Sequence, residues 1–301
     1  GLAYADLGQV EQAIGCYQQA LEIARAIGDR QGEGNRLGNL GIAFHSLGQV
    51  EQAIGYYEQA LEIARAIGDR QGEGNHLGNL GIAFHSLGQM DKAIDYYQQA
   101  LAIDRAIGDR GGEGADLGNL GIAYADLGQE EQAIGYYEQA LAIARQIGDR
   151  GGEGKRLGNL GNAYANLGQV EKAIDHYRQA LAIARAIGDR RGEGNHLGNL
   201  GIAYANLGQL ERAIDHYRQT LEIHQEIGDR RGEALDLGNL AIAYAEQGDF
   251  PRGVPLAAAS LAIRVEIKMP ESSIDNMNIL LAHLREKMGD AAFEAALAAK
   301  E

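Results

Sequence analysis

Glycine returns every forty residues: Gly1, Gly41, Gly81, Gly121, Gly161 and Gly201 fall in one column, and Ala241 stands next in it. Residues 1–40 and 41–80 differ at only seven positions, 2, 4, 5, 6, 16, 18 and 36, so the copies are tandem duplicates. One such unit cannot bury its apolar face alone. Copies of 20–50 residues therefore stack into a quasi-one-dimensional array in which each covers its neighbour. This favours one long array over separate globular domains.

Within residues 41–80, Val50, Ala53, Ile54, Tyr57, Ala60, Leu61, Ala64 and Ile67 recur at steps of three and four, which predicts a helix of about five turns with one buried stripe. Leu37, Leu40, Gly41, Phe44 and Leu47 repeat the spacing over a shorter preceding helix. Strand-type alternation is absent. Gly48 and Gly68 are placed to close these helices in the left-handed conformation, and Asp69 to cap the next one. Each unit is thus a helical hairpin, and the chain is expected to be all-α.

Leu37-x2-Leu40-Gly41-x2-Phe44, followed by Ala53-x3-Tyr57 and Ala60, resembles the tetratricopeptide repeat, with Leu37 where that family often has Trp. The resemblance recurs in every copy through residue 247. Two features depart from it: Arg65 stands in place of the closing proline, and the second helix runs on to Ile67, making forty residues instead of thirty-four. The longer form is similar to the repeats of the LGN/Pins adaptors, of kinesin light chains and of bacterial regulatory proteins. The resemblance implies a right-handed α-solenoid in which the first helix of each hairpin lines a concave groove for peptides or partner proteins, with no cofactor. On it, residues 1–270 form about seven repeats, the first truncated, and residues 271–301 a pair of capping helices. Gly1 aligns with the middle of a first helix, so a fragment of a longer protein is expected. Its start would bare a flank of Leu2, Tyr4, Leu7, Ile14 and Tyr17 that favours self-association, whereas Arg285, Glu286, Lys287, Lys300 and Glu301 give the other end a polar cover.

Charge narrows the partner. With 27 Lys+Arg against 42 Asp+Glu, the net charge of −15 argues against nucleic acid and towards protein segments with basic residues. No apolar run approaches membrane-spanning length. The single cysteine, Cys16, occupies the column of Tyr56, Tyr96, Tyr136, His176 and His216, so it reads as a tolerated substitution and permits a reducing, cytoplasmic setting.

Candidate chemistry thins out on inspection. Gly32-x-Gly34-x-x-x-Gly38 lacks the strand that a dinucleotide-binding loop requires. His45 with Ser46, and His85 with Ser86, point about 100° apart on a helix and form no dyad; two histidines alone make a poor metal site. No catalytic or metal residues are assigned. The groove is expected instead at the column Asn39, Asn79, Asn119, Asn159, Asn199 and Asn239, whose amides offer both a donor and an acceptor to a peptide backbone. The alternative is that these amides bridge neighbouring helices and support the stack. Gly38 would leave room there for a guest backbone, and Gly41 would let the helices of a hairpin approach. Differences between copies mark the same face: Asn35, Asn75, Lys155 and Asn195; His45 and His85; Asn166 and Asn206; and Asn162 in place of Ile. These readings suggest a non-catalytic scaffold. Its alternatives are a sensory arm of a signalling ATPase and a purely architectural stack.

Overall fold

The computed structural model describes Tyr4 and residues 8–298. Those residues contain fifteen helices and no strand: α1 (Val10–Ile27), α2 (Arg30–Ser46), α3 (Val50–Ile67), α4 (Arg70–Ser86), α5 (Met90–Ile107), α6 (Arg110–Asp126), α7 (Glu130–Ile147), α8 (Arg150–Asn166), α9 (Val170–Ile187), α10 (Arg190–Asn206), α11 (Leu210–Glu226), α12 (Arg230–Glu246), α13 (Phe250–Glu266), α14 (Glu271–Met288) and α15 (Asp290–Ala298). They form two compact units, one ending at Asp149 and the other beginning at Arg150. Each unit is a solenoid of antiparallel helical hairpins.

The first helix of a hairpin is not the short element that its apolar spacing predicts. α2 begins at Arg30, seven residues before Leu37, and its 17 residues nearly equal the 18 of α3. Polar contacts hold its early turn. The Asp29 carboxylate accepts a hydrogen bond from the Gly32 amide at 2.8 Å, and Asp69, Asp109, Asp189 and Asp229 repeat this cap. Glu33 is buried but bonded by Arg25 Nε at 2.8 Å and by Arg30. The Arg25 hydrogen bond, aided by the charge of Arg30, outweighs burial and holds the Glu33 carboxyl below the usual range. Glu73, Glu113 and Glu193 are clamped in the same way by two arginines each.

Glycine closes both helices as expected: Gly28 and Gly48 adopt φ of +72° and +74°, where a side chain would be strained. Across the hairpin, Leu37, Leu40 and Phe44 meet Ala53, Tyr57, Ala60 and Leu61 in one buried cluster. The Tyr57 ring lies on Gly41 so closely that a Cβ there would overlap it, and Gly81–Tyr97, Gly121–Tyr137, Gly161–Tyr177 and Gly201–Tyr217 repeat the contact. At the next copy both partners change. Ala241 and Ala257 replace the glycine and the tyrosine, and both are fully buried in a cluster with Val254 and Leu284. Met277, Leu284 and Phe293 of α14 and α15 bury their side chains at this end.

The expected bare N-terminal flank is reduced: Tyr17 is buried and Ile14 half-buried, leaving Tyr4 exposed, while Leu2 and Leu7 lie outside the described residues. Arg285, Glu286 and Lys287 are exposed; Lys300 and Glu301 also lie outside the described residues.

Two glycine substitutions separate packing from propensity. Gly81→Ala must displace the Tyr97 ring and is expected to lower stability by about 1–3 kcal/mol. Gly55→Ala, in α3 with open space around it, should raise stability by about 0.5–1 kcal/mol. Thermal melts of the two variants should move in opposite directions; a shared direction would contradict the glycine–tyrosine account.

Candidate peptide-binding groove

All six ladder amides, Asn39, Asn79, Asn119, Asn159, Asn199 and Asn239, are half-buried on first helices, one per copy. Around them Asn35, Asn75, Lys155 and Asn195 are exposed. An apolar column runs three residues further along the same helices, with Ile42, Ile82, Ile202 and Ile242 exposed. The face therefore alternates amide and aliphatic groups.

The C-terminal unit brings six of these residues into one cleft of about 570 Å³: Lys155, Asn159, Asn162, Asn195, Asn199 and Asn239, with Ile202 and Leu235 as apolar wall. Asn166 and Asn206 are exposed further along α8 and α10 and do not line it. Asn162 Oδ1 accepts from the Tyr177 hydroxyl at 2.8 Å and from Asn199 Nδ2 at 3.2 Å, so this pair does bridge neighbouring first helices. The amides of Asn39, Asn79, Asn119, Asn159 and Asn239 make no side-chain hydrogen bond to protein among the described residues.

The histidines of the N-terminal unit link copies. His45 Nε2 lies 3.0 Å from Ser86 Oγ, and His85 Nε2 lies 2.8 Å from Asp126 Oδ2, each pair joining successive first helices. A carboxylate partner for His85 does exist, one repeat away, but the hydroxyl and the carboxylate fall on different imidazoles. Second-helix rings stack on first-helix rings, as with Tyr56 on Phe44 at 5.2 Å and His176 on Tyr164 at 5.2 Å. Cys16, a half-exposed free thiol, takes the place of such a ring.

Gly38 does not make room for a guest. A Cβ there would stand 2.7 Å from His76 Cε1, and one at Gly158 2.8 Å from His196 Cε1, so the missing side chain admits a residue of the following copy. That column reads Arg36, His76, Asp116, Arg156, His196, Asp236, one series in each unit. It is the site feature that the apolar spacing hides. Its signal was position 36, among the seven differences between the first two copies. Burial lowers the pKa of His76 and His196, keeping both neutral near pH 7, and their Nδ1 atoms have no partner.

Asp116 and Asp236 each face a second-helix residue at a column that holds Ala24, Ala64, Ala144 and Ala184 in other copies. In the C-terminal unit this is His224, whose Nδ1 lies 2.6 Å from Asp236 Oδ2 at the floor of the cleft. Burial pushes the Asp236 carboxyl up to about 6 although His224 pulls it back. In the N-terminal unit it is Asp104, which shares a hydrogen bond with Asp116. Burial and the charge of Asp109 push Asp104 up to about 6 although the hydrogen bond with Asp116 pulls it back, and burial with the charge of Asp104 pushes Asp116 up to about 8.

A helical-hairpin solenoid with a column of amides on its first helices defines a class of repeat scaffold. The sequence profile of the tetratricopeptide repeat matches residues 1–66, 46–106, 72–146, 154–226 and 192–266, and the chain belongs to that family. Solved structures agree in fold. A STAND signal-transduction ATPase with a tetratricopeptide repeat sensor from Pyrococcus horikoshii is 23% identical with a TM-score of 0.78, over 93% of this chain and 43% of that one. BtubC from P. vanneervenii is 22% identical with a TM-score of 0.67, over 73% and 92%. Apo RapI is 15% identical with a TM-score of 0.70, over 90% and 97%. No curated protein matches the sequence. Among the described residues no helix is long and apolar enough to cross a membrane.

The carboxyl pair makes stability depend on pH. Asp116 keeps its proton to about pH 8 when folded but only to about pH 4 when unfolded. The folded chain therefore binds the extra proton, and stability falls as pH rises between those values. Asp116→Asn removes this loss. The melting temperature of the variant minus that of the parent should grow from pH 5 to pH 9; an equal difference at both would contradict the assignment.

Proposed function

We propose that the chain is a non-catalytic binding module whose first-helix face holds an extended or helical segment of a protein partner. The observation that carries this reading is the set of five half-buried ladder amides without protein partners, two of which, Asn159 and Asn239, line a cleft of the volume that accommodates side chains of a guest. Leaving such groups unpaired costs free energy that a peptide backbone would recover. Asn35, Asn75, Lys155, Asn195, Asn162, Asn166 and Asn206 belong to the same reading as groove contacts, and His45 and His85 as polar links at its edge. The net charge of −15 favours partners with basic segments. Residues 1–270 serve as the repeat array and 271–301 as its cap. We place the module in the cytoplasm.

A second reading is supported by one comparison. The STAND relative carries a tetratricopeptide repeat sensor, and this chain spans 43% of its length. In that setting the same groove would bind a signal and report it to an enzymatic domain. Both readings place the ligand on the first-helix face, and they differ in what lies beyond the chain.

Replacing Asn159, Asn199 and Asn239 with Ala should weaken partner capture at least tenfold, an effect of about 1.4 kcal/mol, while melting stays within a few degrees of the parent. Affinity capture and calorimetry on the same samples check both. Unchanged capture with a large fall in melting temperature would assign the ladder to the stack.

A further inference from the structure

The buried carboxyl pair of the N-terminal unit shares a hydrogen bond and forms no ion pair with a cation of the fold among the described residues. Asp104, in the last turn of α5, and Asp116, in the second turn of α6, are each only 5% exposed. Asp104 Oδ1 and Asp116 Oδ2 have no hydrogen-bond partner. Four other buried acids are held by cations of the chain: Glu33, Glu73, Glu113 and Glu193 each take two arginines.

The same two columns in later copies show what is missing. One hundred and twenty residues on, the partner of the acid is His224, 2.6 Å from Asp236. At the next copy the column holds Arg264, buried, with Nε on Ser260 Oγ and Nη1 on the Ser273 carbonyl, each at 3.0 Å. Where His224 and Arg264 supply a basic group, Asp104 supplies a second acid.

We propose that Asp104 and Asp116 form a subsite for a cationic side chain, lysine ammonium or arginine guanidinium, of the segment bound on the concave face of the N-terminal unit. The inference rests on the groove reading above and adds the chemistry of the guest. The equivalents of the pair in the C-terminal unit, His224 and Asp236, line its cleft, and the subsite requires the same access here. Around the pair stand glycines. A Cβ at Gly74 would lie 2.7 Å from Asp104 Oδ1 and one at Gly78 3.4 Å from Asp116 Oδ1, so backbone alone separates the carboxyls from α4. Above it the groove offers Asn79 and Asn119, half-buried and unpaired, and the exposed Asn75 and Ala115.

Electrostatics point the same way. Residues 1–149 carry 9 Lys+Arg and 21 Asp+Glu, a balance of −12, whereas residues 150–301 carry 18 and 21, a balance of −3. Lys155 and Arg191, which line the C-terminal cleft, have Asn35 and Gln71 as their equivalents in the N-terminal unit. Of the other charged groups near the pair, Asp109 adds a third carboxylate, Glu113 is held by Arg105 and Arg110, and His76 is neutral. An entering ammonium replaces the proton that the pair shares, so binding near pH 7 releases a proton to solvent.

The test uses the full chain and two pools of nonapeptides, randomised except at the centre, which is lysine in one and norleucine in the other. The lysine pool should bind about tenfold more tightly, with proton release seen as a buffer-dependent heat. Asp104→His rebuilds the pair found at His224 and Asp236, so it should fold, and it should erase the preference by filling the place of the guest cation. Equal binding of both pools to the parent, or an undiminished preference in Asp104→His, would overturn the subsite and leave the groove standing. Absence of binding by either pool would overturn the groove reading and the subsite together.

Discussion

The contact on which five of the hairpins depend is a tyrosine ring packed against a glycine. At Gly41–Tyr57 and its repeats the ring fills the space that a Cβ would occupy, drawing the two helices together over a core of leucine and alanine. A helical glycine costs about 1 kcal/mol relative to alanine, and burying an aromatic ring recovers more than that. The pair behaves as one unit. Where Tyr gives way to Ala257, Gly gives way to Ala241, and both remain fully buried.

Close hairpins set the first helices side by side, and this decides what the first-helix face presents. The polar side chains of His76, Asp116 and His196 enter the glycine gaps of the preceding first helix, becoming part of the wall. Residues one turn away remain open: the ladder asparagines and the isoleucines at 42, 82, 202 and 242. A surface of amide and aliphatic groups in alternation suits a guest that offers backbone hydrogen bonds and apolar side chains together. The buried acids beneath it add charge selectivity, which differs between the units because Asp104 and His224 occupy equivalent places.

Much of the fold was legible because the copies are nearly identical. Glycine punctuation and the apolar stripe of the second helix sufficed for the hairpin. The start of the first helix was marked only by the capping aspartate, since Asp29, Arg30 and Glu33 hold it through a cap and an ion pair that leave no apolar period. Gly38 was assigned to the groove because its helical phase is right; its space is taken by His76, and a contact forty residues away in sequence leaves no local trace. The Asn column was found from repetition, whereas Asp104 and His224 were passed over because each departs from alanine in only one copy. Departures of that kind are where a recently duplicated array records its chemistry.

The central claim is that the ladder amides bind a guest. Side-chain 1H–15N spectra of the full chain, titrated with the lysine-centred nonapeptide pool, test it directly. The account predicts shifts in the side-chain amides of Asn79, Asn119, Asn159 and Asn239 on first helices, with those of Gln59, Gln99 and Gln139 on second helices unmoved. Shifts confined to the second-helix amides, with the asparagine ladder unmoved, would contradict it.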